Sequence, residues 1–91
     1  MIAPRVHLNG TSKNALLDAI HTASIAINSA ADKLRDTAPH ARDYYVISTD
    51  AYPQARDEYI ARLNHLHAAN DELIAMYRAI EENEIEFSTG V

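Results

Sequence analysis

The chain has 91 residues, a formal net charge of −5 and no cysteine. This length predicts one small domain, the missing cysteines exclude disulfide scaffolds and thiolate metal sites, and the acidic balance argues against general nucleic-acid binding. No apolar run approaches the roughly 18 residues of a membrane span, and the first residues lack the order of a signal peptide, so we expect a soluble intracellular protein.

Residues 1–11 are predicted to form an extended lead-in to the first helix. Asn9-Gly10 is a turn signal, and Thr11 or Ser12 can accept a hydrogen bond from an N–H group of the first helical turn.

Helix 1 is predicted over residues 13–36, and Pro39 ends it because the residue before a proline is disfavoured in helical geometry. Asn28 and Asp32 are predicted to lie on the solvated side. The apolar stripe, with steps of three and four, is Leu16, Ile20, Ala23, Ile27, Ala30 and Leu34.

Residues 37–50 connect the two helices and exceed what a plain antiparallel hairpin needs, and long ordered loops are often functional. Within this loop, residues 44–47 could form a short strand that pairs with residues 5–8.

Helix 2 is predicted over residues 51–83, with Thr49 or Asp50 as its cap and Pro53 tolerated in its first turn. Ile60 and Ile74 widen its apolar face. The main stripe is Tyr59, Leu63, Leu66, Asn70, Leu73, Tyr77 and Ile80.

The two predicted helices differ in length, at about 36 Å and about 48 Å, so helix 2 overhangs and its surplus apolar face needs another subunit. Hydrophobic residues make up 47% of the chain, but many are alanines, so a monomer should be marginally stable. We therefore predict an all-α fold: an antiparallel helical hairpin with a long second helix, an extended lead-in and an ordered loop, assembled as a homo-oligomer.

Two features bear on that assembly. Asn70 interrupts an apolar stripe, so it either pairs with its symmetry mate at an oligomer seam or lies solvated at the edge. The acidic tail, residues 84–91, carries Ile85 and Phe87, which we expect to dock on a neighbouring surface, for which another protomer is a candidate.

The stretch HLNGTSK is the first candidate binding element. A helix N-terminus with free N–H groups and an adjacent lysine attracts phosphate or carboxylate, although an ordinary capped helix gives the same pattern. The candidate ligand-binding residues here are His7, Asn9, Gly10, Thr11, Ser12 and Lys13.

The RDYY segment, with Arg42, Tyr44 and Tyr45, is the second candidate. A guanidinium matches phosphates or carboxylates and tyrosine rings stack on bases. Alternatively, one ring fills the open end of the hairpin and Arg42 pairs with an acidic residue. The two candidates lie at opposite ends of one protomer. A shared site therefore needs an antiparallel neighbour, or a loop that folds back along the bundle.

Metal, cofactor and catalytic motifs are not predicted. His65 and His67 point about 200° apart on a helix, and Asp18 with His21 supplies only two ligands. No nucleophile elbow, HExxH motif or paired carboxylates with a histidine on the same face occur, so we predict that the protein is not an enzyme.

The pattern HLNGTSK, an alanine-rich helix, APHARDYY and a long helix with YIARL resembles a family of short, mostly uncharacterised accessory proteins of tailed bacteriophages. The resemblance covers roughly residues 6–82; it departs where VIS follows RDYY and in the tail. It implies a phage origin, a helical hairpin and a place in the cytoplasm of an infected bacterial host.

Two functions are compatible with these features. By analogy with small phage proteins that act as sponges, the chain sequesters a phosphate-containing, nucleotide-like signal of host defence, of the cyclic dinucleotide or ADP-ribose type. Alternatively, it is an interaction module that binds and inhibits a host protein through a helical face or the acidic tail.

Overall fold

Two long helices carry the fold of this chain, for which the computed structural model describes residues 1–83. Helix α1 spans Lys13–Leu34 and helix α2 spans Ala51–Glu82. Two short 3₁₀ turns, Arg35–Thr37 and Ala41–Asp43, lie in the connection. For residues 1–83, the prediction of an all-α fold with two helices packed on each other is confirmed.

The predicted strand pairing is wrong for the part of the chain that the structure describes. Residues 44–47 form a turn, in which the Ile47 N–H donates to the Tyr44 carbonyl over 2.9 Å. Local turns engage these backbone groups, so they do not form a ladder with the lead-in. The predicted docking of Ile85 and Phe87 lies outside the described residues.

The two helices begin in different ways. Ser12, one of the two predicted caps, is the N-cap of α1. Its Oγ accepts a hydrogen bond from the Ala15 N–H over 3.1 Å. Asp50 holds the N-cap position of α2, but its side chain makes no capping hydrogen bond, because its backbone is already helical, at φ −92° and ψ −10°.

Two contacts fix the antiparallel register of the helices. The Lys13 ammonium donates to the Glu81 carbonyl, and the Ser24 hydroxyl donates to the Asn70 side chain. Eleven residues separate the members of each pair along both helices (24 − 13 = 11 and 81 − 70 = 11). If the same correspondence is continued along both helices, Leu34 lies level with about residue 60. The first turns of α2 therefore extend past the end of α1.

The apolar core lies at the end of the hairpin where α1 begins and α2 ends. There Val6 of the lead-in and Ile20 of α1 are buried together with Ile80 of α2. The partly buried residues packed against them are Leu16, Leu17, Leu73, Met76 and Tyr77. We call this end, including residues 4–13, the base of the hairpin, and residues 37–50 its loop.

The predicted apolar stripe of α2 is confirmed, since all seven residues are buried or partly buried. The stripe of α1 is wrong at Ala23 and Ala30, which are exposed, while Ser24 is partly buried and Ala31 is buried. At Ala23 the pattern failed because it ignored a small polar residue, Ser24, whose hydroxyl donates to the buried Asn70 amide.

The molecule is a rod of 70 × 19 × 16 Å with a radius of gyration of 20.1 Å. A compact chain of this length has a radius of gyration of about 12 Å. Its accessible surface is 6778 Å², compared with about 5,300 Å² for a compact monomer of the same mass. The single hairpin therefore leaves an unusually large surface uncovered.

Candidate functional site

Lys13, predicted as a ligand-binding cation, is bonded to the end of α2. Its Nζ donates to the Glu81 carbonyl over 2.8 Å and to the Asn83 carbonyl over 3.0 Å. The last carbonyls of a helix have no partner within the helix and carry partial negative charge, so a lysine stabilises them. The Asn83 amide in turn donates to the Pro4 carbonyl over 3.3 Å, which ties the lead-in to the same end.

The turn before α1 is shaped by local backbone contacts. The Gly10 N–H donates to the His7 carbonyl over 3.2 Å. A side chain at Gly10 would place its Cβ 2.5 Å from His7 Nε2, so the imidazole would have to move. Ser12 is occupied as the α1 cap, while Asn9 and Thr11 are exposed. The predicted binding residues at the base thus include three, Gly10, Ser12 and Lys13, with structural roles.

The loop has the opposite character. Its hydrogen bonds in the described chain are local, such as those from the Tyr44 and Tyr45 N–H groups to the Ala41 carbonyl, both 3.0 Å. Tyr45, Val46 and Ile47 are 70%, 72% and 70% exposed. We call residues 42–47 the loop tip, and it projects an apolar segment into solvent.

Arg42 and Tyr44 differ in their surroundings within this tip. Among residues 1–83, the exposed Arg42 guanidinium has no hydrogen-bond or ion-pair partner. Tyr44 is partly buried, whereas its neighbour Tyr45 is exposed. The tip therefore offers a free cation and one free aromatic ring.

The base and the loop tip do not form one site in a single chain. The 22 residues of α1, about 33 Å of helix, separate them. The short turns of the loop are closed by bonds within the loop itself. A site that used both motifs would need a second copy.

Asn70 is buried at the helix–helix contact, with 9% of its surface exposed. Its Oδ1 accepts from Ser24 Oγ over 2.5 Å, and its Nδ2 donates to Asn28 Oδ1 over 3.5 Å. The predicted solvated edge position is wrong, because Asn70 is buried and partners within the chain bond its amide. The pairing of Asn70 with its symmetry mate stays a prediction. Asn28, predicted on the solvated side, is exposed but reaches the edge of this contact.

A groove that the sequence did not predict runs beside the core, with a cavity volume of about 260 Å³. It lies between the helices on one side of the hairpin. Its apolar lining consists of Ile20, Leu73, Ile74 and Tyr77, and its charged lining includes Arg78 and Glu81. A cavity of about 150 Å³ can hold benzene, so this groove can receive an aliphatic or aromatic side chain.

Residues 1–83 contain no group of three or more His, Asp or Glu placed to hold a metal ion. Neither helix in this part of the chain has an apolar stretch that could cross a bilayer. Comparisons of the sequence with protein-family models and curated proteins, and a search of solved structures, find no match. The proposals below therefore rest on the geometry of the base, the loop tip and the groove.

Proposed function

We propose that this chain is a non-enzymatic binding protein that recognises a partner protein through its loop tip. The supporting observation is the run Tyr45, Val46 and Ile47, with each residue at least 70% exposed. Small-molecule sites are concave, whereas a projecting apolar segment suits a pocket on another protein. This favours an interaction module over a nucleotide-binding protein.

Arg42 narrows the chemistry of the partner. Tyrosine and arginine are enriched at protein interfaces, and a guanidinium next to an apolar anchor pairs well with a carboxylate. The partner should therefore present an apolar pocket bordered by acidic side chains. In the phage setting suggested by the sequence resemblance, this partner is a host protein in the cytoplasm of an infected bacterium, and binding inhibits it in an anti-defence role.

The proposal includes self-association into a homo-oligomer. The 6778 Å² of accessible surface and the small buried core support it, because so small a core stabilises an isolated hairpin weakly. Light scattering should give a mass above the 10.1 kDa of one chain. A stable monomer at micromolar concentration would contradict this part of the proposal.

The recognition is tested with purified components. The chain is used to capture proteins from a bacterial lysate, and each captured protein is then purified and titrated by calorimetry. We expect Val46→Asp and Arg42→Ala to abolish or strongly weaken binding. Ile25→Asp, at an exposed position on α1, is the matched control and should bind normally. Equal binding by all variants would exclude the loop tip as the surface that recognises the partner.

A second candidate is the sequestration of a phosphate-containing nucleotide. The observation that favours it is the presence of the free Arg42 guanidinium and the exposed Tyr45 ring in the same loop tip, since such a pair suits a phosphate and a base. The HLNGTSK residues of a second copy would complete such a site. Cyclic dinucleotides or ADP-ribose should then raise the melting temperature of the wild type and of Arg62→Ala, but not of Arg42→Ala. No rise with any of these compounds would reject this candidate.

A further inference from the structure

Large apolar side chains are exposed on one side of α2. Ile60 is 45% exposed and Ile74 is 37% exposed. These two residues and His67 are spaced by seven, and seven residues turn a helix by nearly two full turns, so all three lie on the same side. Ile74 also lines the groove, so this side and the groove form one continuous surface.

The surface is self-complementary about His67. Ile60 lies seven residues before it and Ile74 seven residues after it. A two-fold axis at His67 would place Ile60 of one chain level with the groove at Ile74 of an antiparallel second chain. An isoleucine side chain is small enough for a cavity of about 260 Å³, and the symmetry fills both grooves at once.

Charged side chains flank this arrangement. Arg56 and Asp57 lie just before Ile60, while Arg78 and Glu81 line the groove. About the same axis, Arg56 falls level with Arg78 of the other chain, and Asp57, which pairs with Arg56, falls within about 1.5 Å of that level. Asp57 therefore supplies a negative charge at the level where the two arginines meet.

The available area is close to what a stable dimer needs. The stretch from Arg56 to Glu81 is about 38 Å long, and the hairpin is 19 Å across, which gives roughly 700 Å² in projection. Stable interfaces bury about 800 Å² on each partner. Contact at this face would also reduce the surface excess of the single hairpin.

We infer that the chain forms an antiparallel homodimer through this side of the hairpin, with Ile60 of each copy seated in the groove of the other. The inference rests on the proposed self-association and not on recognition by the loop tip. To the proposed self-association it adds the contact surface, the antiparallel orientation of the two copies and their two-fold symmetry. The dimer has the loop tip of one copy at the same end as the base of the other, which is the arrangement that a shared ligand site requires.

Site-directed crosslinking tests the arrangement, and the absence of native cysteine gives a clean background. His67→Cys should crosslink to itself through a short thiol-reactive linker. Asp57→Cys and Arg78→Cys should crosslink when mixed, but neither alone, because each lies about 30 Å from its own copy across the axis. A parallel dimer would crosslink Asp57→Cys to itself and overturn the inference.

A second measurement tests whether the Ile60 side chain stabilises the dimer. Ile60→Asp should raise the dimer dissociation constant about 30-fold or more, the effect of losing an interface hot spot. Circular dichroism should show an unchanged helix content, because Ile60 is half exposed in the hairpin. Ile47→Asp at the loop tip is the control and should leave the dimer intact.

The outcomes separate the proposals. A monomeric wild type would overturn both the homo-oligomer and this dimer. A stable oligomer that tolerates Ile60→Asp, or crosslinks in another pattern, would overturn the dimer geometry alone. Neither result depends on whether the loop tip binds a partner.

Discussion

The base and the loop tip of this hairpin look equally suited to binding in the sequence, yet they differ in the structure. At the base, Lys13 and Ser12 are bonded to the ends of the two helices, the Asn83 amide donates to the Pro4 carbonyl, and Val6 and Ile80 are buried. At the tip, Arg42 lacks a partner within the described residues. A cation beside a turn can thus be part of the scaffold or free for recognition, and its hydrogen bonds decide which.

The largest expected difference between the two regions concerns apolar side chains. Ile80→Ala should lower the free energy of unfolding by about 2–4 kcal/mol, because it leaves a cavity among buried neighbours. Ile47→Ala should change it by less than about 0.5 kcal/mol. Urea unfolding at fixed protein concentration measures both. Similar losses for the two variants would mean that the tip is packed in solution.

The second-largest loss of stability is expected at Asn70, which lies midway along the hairpin between the base and the loop tip. Asn70→Ala should cost about 1–2 kcal/mol, since it removes the buried acceptor for Ser24. The double variant Ser24→Ala/Asn70→Leu should be at least as stable as the wild type, because an apolar pair needs no hydrogen bond. Asn64→Ala, an exposed asparagine on α2, serves as the control. A strongly destabilised double variant would show that Asn70 has a further role.

The helix caps should differ by a smaller amount. Ser12→Ala should cost about 1 kcal/mol, the usual effect of losing a side-chain N-cap. Asp50→Ala should stay within about 0.5 kcal/mol, because Asp50 makes no capping bond. Thermal unfolding of the two variants at equal protein concentration measures this difference in stability. The contrast fails if Asp50→Ala proves as costly as Ser12→Ala.

The smallest predicted effect concerns the two cations. Lys13→Met should cost about 0.5–1 kcal/mol through the loss of its bonds to the α2 carbonyls, which are partly open to solvent. Arg42→Met should change the stability less than Lys13→Met does. Chemical unfolding measures the difference, and added salt should reduce it. A larger cost for Arg42→Met would assign the structural role to the tip.

Much of the fold follows from local sequence patterns. The steps of three and four in α2 predicted its buried face correctly, because the apolar period of a helix is independent of what packs against it. Ser12 was one of two predicted caps, since a hydroxyl before the first turn has a local partner. The prediction failed on α1 at Ala23, because the small polar residue Ser24 lies at the helix–helix contact instead.

The remaining features depend on residues far apart in the sequence, and only the tertiary structure decided them. Lys13 is separated from Glu81 by 68 positions and Ser24 from Asn70 by 46, so no local pattern reveals that each pair is bonded. The groove likewise exists only where two helices meet. The sequence by itself determined where the helices lie, because backbone hydrogen bonds and side-chain periodicity are local. Packing decided which polar residues support the scaffold and which remain free, because that choice depends on what the opposite helix presents.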